Sequence, residues 1–130
     1  MSIAYWCVLI AAILPYVWVV VAKTGASDYN NKDPRGWLAR QQSHRVRNAN
    51  GAQLNAFEAF PAFAAGVLMA QFAQVDPQRM AWLAMAFVAF RVLHGLFYLA
   101  GLHYLRSLAW LAGLLCVLGL MGSAALKVGG

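Results

Sequence analysis

Ile3–Ala22 is a run of twenty residues without one charged side chain. As a helix it is about 30 Å long, the thickness of a bilayer's hydrocarbon core. Inside that core no water satisfies backbone N–H and C=O groups, so such a run commits the chain to helices that close their own hydrogen bonds. Leu108–Leu126 repeats the pattern over nineteen positions. Two more apolar runs, Ala59–Val75 and Met80–Leu102, reach spanning length only with Glu58 at the start of one and Arg91 inside the other. Charged residues make up 11% of the 130, against about 25% in a soluble domain. The expectation is one domain, residues 1–130, folded as an all-α, four-helix transmembrane bundle running up-down-up-down. The spans are expected near 3–22, 52–73, 79–101 and 106–126. A secretory signal is a poor reading of the N-terminus, because the run has no basic residue before it and exceeds the usual span of roughly 7–15 residues.

The net charge of +6 does not point to nucleic acid, because of where the charges lie. Lys23, Lys32, Arg35, Arg40, Arg45 and Arg47 fall between the first two runs, and Arg106 falls in the third connection. The opposite side keeps Arg79 and Lys127. With Arg91 counted as intramembrane, seven basic residues face two, and the positive-inside rule puts the first loop in the cytoplasm and both termini outside it. Cys7 and Cys116 both lie in apolar runs and read as small buried hydrophobes.

Thr24–Gly36 is rich in loop formers, among them Gly25, Ser27, Asp28, Asn30, Asn31, Asp33, Pro34 and Gly36. Trp37–Asn50 has neither proline nor glycine and reads as an extension of the second helix beyond the membrane. Asp33-Pro34 and Asp76-Pro77 each read as a helix cap followed by proline at the first helical position. Gly101 marks the end of the third helix. Tyr29, Trp37 and Trp82 lie where interfacial aromatic belts are expected.

A charged side chain near the bilayer centre costs roughly 2.5–3.5 kcal/mol on insertion scales, so it normally faces a partner, a cavity or a substrate. Arg47, Gly51, Asn55 and Glu58 are spaced by 4, 4 and 3 residues and share one helical face, with Asn48 beside it. Arg91, His94 and Tyr98 form a second polar face, and Arg106-Ser107 opens the fourth helix. The structural alternatives are an Asn55 bond between helices, a Glu58 that neutralises Arg91 or an arginine of another subunit, and tyrosines serving as interface aromatics. His44 and His103 are expected in solvent or among headgroups. A lone intramembrane histidine supplies no second axial ligand for haem, and no metal site is expected.

The stretch Asn48-Ala49-Asn50-Gly51-Ala52-Gln53-Leu54-Asn55-Ala56-Phe57-Glu58-Ala59-Phe60-Pro61 resembles the second-helix signature of the MAPEG family, membrane-associated proteins of eicosanoid and glutathione metabolism. Asn55, Glu58 and Pro61 match that signature, Arg91-Val92-Leu93-His94 and Tyr98 resemble the third helix, and Arg106-Ser107 resembles the start of the fourth. The chain departs from the pattern at Gly51, where the family usually has an arginine, and at Ala59, where some members have an aromatic residue. Arg47, one turn earlier and about 6 Å along the axis, is the nearest replacement.

The resemblance implies a homotrimer in a bacterial inner membrane, surrounded by lipid, with sites between subunits. It implies a glutathione-dependent transferase or peroxidase acting on a lipophilic small molecule. Arg47, Asn48, Asn55, Glu58, Arg91, His94 and Tyr98 would bind glutathione, and Arg106 would be catalytic by favouring the thiolate. Two other readings stand beside it: a membrane protein that keeps the fold without thiol binding, favoured by Gly51, and a small proton-coupled multidrug transporter. Dual-topology transporters need nearly equal basic counts on both sides, which this chain lacks.

Overall fold

The computed structural model describes residues 2–24, 26 and 28–130, with the side chain of Ser2 outside the description. Among these residues the secondary structure is helical throughout: α1 Ser2–Thr24, α2 Pro34–Ala39, α3 His44–Phe72, α4 Pro77–Ala100 and α5 His103–Gly129. Gly25 and Ser27, expected as loop formers, lie outside the described residues. Three helices, α1, α4 and α5, are long and apolar enough to cross a membrane, with mean hydropathies of 2.2, 1.8 and 2.0. The 29-residue α3 is long enough but more polar, since it carries Arg45, Arg47, Gln53, Asn55, Glu58 and Gln71 on one rod.

Packing follows from the apolar spacing. The buried residues of α1 are Ala4, Cys7, Ala11, Leu14, Trp18 and Ala22, a seam three and four residues apart, with Pro15 buried beside it. Opposite them α3 presents Ala49, Ala52 and Ala56, whose small side chains let two backbones approach closely. α1 packs on α3 and α4, α5 packs on α4 and α3, and α3 touches α4 directly. Phe63 of α3 and Phe87 of α4 stack with ring centroids 3.9 Å apart and planes 10° from parallel.

The helix ends bear out the sequence signals. Asp33 accepts from the Gly36 N–H and Asp76 from the Arg79 N–H, each capping a helix that begins with proline. Gly101 ends α4 at φ 73°, with Leu102 N–H bonded to Phe97 C=O. α3 closes in the same way, with Val75 N–H on Ala70 C=O, but there Gln74 takes the left-handed position at φ 55°.

The first connection differs from expectation. Trp37–Asn50 is not one extension of the second helix. α2 stops at Ala39, residues 40–43 turn the chain, and α3 starts at His44. The reason is Trp37, which is 4% exposed and packs with Ala22, Val46 and Ala49 while its indole N–H donates to Asp28 Oδ1 at 3.2 Å. Burying that indole against the α1–α3 pair is incompatible with a straight helix through 37–50. Trp37 is therefore a core residue and not part of an exposed aromatic belt. Trp82, near the start of α4, is 64% exposed.

Candidate functional site

The polar centre lies where α3, α4 and α5 meet. Arg91 is 4% exposed, and its Nη2 donates to Asn55 Oδ1 at 2.7 Å, tying α4 to α3. A charge-assisted bond of this length is among the stronger ones available to a side chain. Gly113 of α5 faces the aliphatic part of the same arginine, and a Cβ built there would stand 3.7 Å from Arg91 Cδ. The guanidinium is thus threaded between three helices.

Two cavities open around this bond. The first, of about 280 Å³, is bordered by Asn55, Glu58 and Arg91 at its polar end and by Phe87, Trp110 and Leu114 on its apolar walls. Among the described residues Glu58 has no cation within ion-pair distance, since the one such pair joins Arg40 and Asp33 at 3.8 Å. Arg91 is hydrogen-bonded to Asn55, while Glu58 lines the same cavity beyond ion-pair distance.

The second cavity, of about 270 Å³, is lined by Asn55, His94, Tyr98, Arg106, Ser107 and Trp110. The Arg106 guanidinium lies 4.5 Å from the Tyr98 ring centroid, and His94 meets the same ring edge-on at 5.7 Å. His94 is 2% exposed and its Nδ1 has no hydrogen-bond partner among the described residues. An unmade bond at a buried polar atom costs about 1–3 kcal/mol. The arrangement therefore presents one buried cation, one stacked cation, an unsatisfied ring nitrogen and a free carboxylate around two adjoining spaces. Such a set suits a ligand with both anionic and cationic groups.

The structure thus brings together Asn55, Glu58, Arg91, His94, Tyr98 and Arg106. It does not bring Arg47 or Asn48 to them. Arg47 borders a separate groove of about 900 Å³ with Arg35, Arg40, Asn50 and Gly51, and Asn48 lines neither that groove nor the two cavities. Arg47 thus shares its groove with Gly51 and lines neither of the two cavities at the α3–α4–α5 centre. Gly51 itself explains the gap. A Cβ built on it would collide with the Tyr98 hydroxyl and ring, whose Cε1 would lie 2.8 Å away. The volume next to residue 51 is filled by tyrosine.

Trp110 escaped the sequence reading although it borders both cavities. Its signal was present, since it stands four residues after Arg106 and so shares that face of α5. Phe87, which floors the first cavity through its stack on Phe63, carries no comparable signal.

A family model described as the MAPEG family matches residues 3–126. No curated protein and no solved structure matches the chain. Nearly the whole of the helical rod set, including every residue of the α3–α4–α5 centre, falls inside the matched range, and the chain belongs to the MAPEG family.

Proposed function

We propose that this integral membrane protein binds the anionic thiol glutathione in the α3–α4–α5 cavities and joins it to, or reduces with it, a lipophilic electrophile arriving from the bilayer. The observation that carries this reading is the buried Arg91 guanidinium, held by Asn55 at 2.7 Å with no carboxylate within ion-pair distance among the described residues. A desolvated cation beside a cavity favours an anionic guest. Glu58, at the rim of the same cavity, suits the ligand's ammonium group, and His94 Nδ1 offers a further hydrogen bond. Arg106 is the cation for the sulfur, because a positive charge nearby favours the thiolate nucleophile. With an aryl chloride the sulfur forms the new C–S bond, chloride leaves, and the thiol proton passes to solvent.

The same proposal takes the four long helices as spans running up-down-up-down in a homotrimer of a bacterial inner membrane. The basic end faces the cytoplasm and both termini lie outside. The test is a melting shift of the purified protein with glutathione, followed by conjugation of chlorodinitrobenzene. At a hundredfold excess over Kd, binding adds about 2.7 kcal/mol of stability. Absence of any shift, together with turnover equal to that of Arg106→Ala, would refute the reading.

A second reading is favoured by one observation. With Tyr98 packed on Gly51, an arginine at position 51 would have to displace the tyrosine ring, which suits a protein that keeps the fold without thiol chemistry. In that case the same assays show no shift and no turnover in the parent.

A further inference from the structure

We propose that a separate cavity, between α1, α2 and α3, is the seat of one anionic phospholipid. It measures about 660 Å³. Lys23, from the last turn of α1, and Arg35, from α2, supply its charge, while Asn50 and Gln53 of α3 add polar groups. Its remaining wall is apolar, and two of those side chains, Leu54 and Phe57, belong to the exposed apolar surface of α3. The cavity is thus cationic at one end and continuous with lipid-facing surface at the other. That polarity matches a phosphodiester with its acyl chains.

Charge complementarity selects the occupant. Among the described residues neither Lys23 nor Arg35 has a carboxylate within ion-pair distance. The nearby acids are engaged elsewhere: Asp28 accepts from the Trp37 indole, and Asp33 caps α2 and pairs with Arg40. Lys23 is steadied by the Tyr29 ring, whose centroid lies 4.9 Å from Nζ. It directly follows the uncharged run Ile3–Ala22, which sets it at headgroup depth. The turn at 40–43 and the burial of Trp37 fold α2 back so that Arg35 joins the same cavity. A basic loop that only set topology would not need that fold.

The test is native mass spectrometry of the full chain offered equal amounts of phosphatidylglycerol and phosphatidylcholine. The parent is expected to prefer phosphatidylglycerol. One basic group beside an anionic headgroup contributes about a fivefold preference. Arg35→Gln, at an exposed position, should lower the ratio about fivefold, and Lys23→Gln with Arg35→Gln about 25-fold. The charge-matched pair Lys32→Gln with Arg45→Gln, both exposed and outside the cavity, should leave it unchanged. Lys23→Arg with Arg35→Lys should retain it. No headgroup preference in the parent, or equal loss in the control pair, would overturn the proposal. Displacement of phosphatidylglycerol by inorganic phosphate at equal concentration would overturn the lipid as occupant and leave free phosphate in its place.

Discussion

Replacing Gly51 with alanine sets three effects against one another, and the structure predicts which prevails. Alanine in a helix interior gains roughly 0.5–1 kcal/mol over glycine. Against this, the new Cβ would overlap the Tyr98 ring, and overpacking of this kind costs about 1–3 kcal/mol. A ring that yields by moving off the Arg106 guanidinium forfeits a cation–π contact of about 0.5–1 kcal/mol. Gly51→Ala is therefore expected to destabilise by about 1–3 kcal/mol, a fall in Tm of roughly 4 °C per kcal/mol. Thermal unfolding in mild detergent, followed by circular dichroism, reads this directly. The double variant Gly51→Ala/Tyr98→Leu should be more stable than the sum of the single losses, because leucine vacates the contested volume. An alanine variant more stable than the parent, with additive behaviour at Tyr98, would refute the packing described here. The same geometry predicts that Gly51→Arg does not improve glutathione affinity, since its side chain must first evict Tyr98.

Asn55→Ala leaves the Arg91 guanidinium buried without its partner and should cost about 1.5–3 kcal/mol in unfolding, with much of the loss recovered when Arg91→Met is added. Glu58→Gln should abolish glutathione-induced stabilisation while the assembly observed by size-exclusion chromatography stays intact; a disrupted assembly would assign Glu58 to subunit contact instead. For topology, a cysteine replacing Lys32 should resist a membrane-impermeant maleimide in intact cells and one replacing Gly130 should react, read by mass shift, and reversed labelling would invert the proposed orientation.

The parts of the fold legible in the sequence are those decided locally. Asp76-Pro77 and Gly101 announce helix boundaries because caps and left-handed turns need particular residues within a few positions. The polar face of Arg91, His94 and Tyr98 is legible because helical spacing alone aligns them. The break at 40–43 was hidden: Arg40-Gln41-Gln42-Ser43 contains no proline or glycine, and a distant burial, that of Trp37 against Ala22 and Val46, decides it. The α3 terminus falls where the second span is expected to end, near residue 73, although the left-handed turn there is held by the Val75–Ala70 bond at Gln74 and not by a glycine. Arg47 shares a helical face with Gly51, Asn55 and Glu58 but lines a different groove from Asn55 and Glu58. Which cavity an end-of-helix side chain joins depends on the neighbouring segment, here α2, whose Arg35 and Arg40 share its groove.

Asn55 borders both cavities at the α3–α4–α5 centre while its carbonyl oxygen is engaged by Arg91. One amide thus forms a party wall between two rooms. Because Arg91 already holds that side chain, a guest in either room meets an amide whose orientation is set in advance, and a guest that turns it changes the wall of the other room as well. In the reaction proposed above, which takes one guest from water and one from the bilayer, a shared wall of this kind would favour the doubly occupied state over either half-filled one.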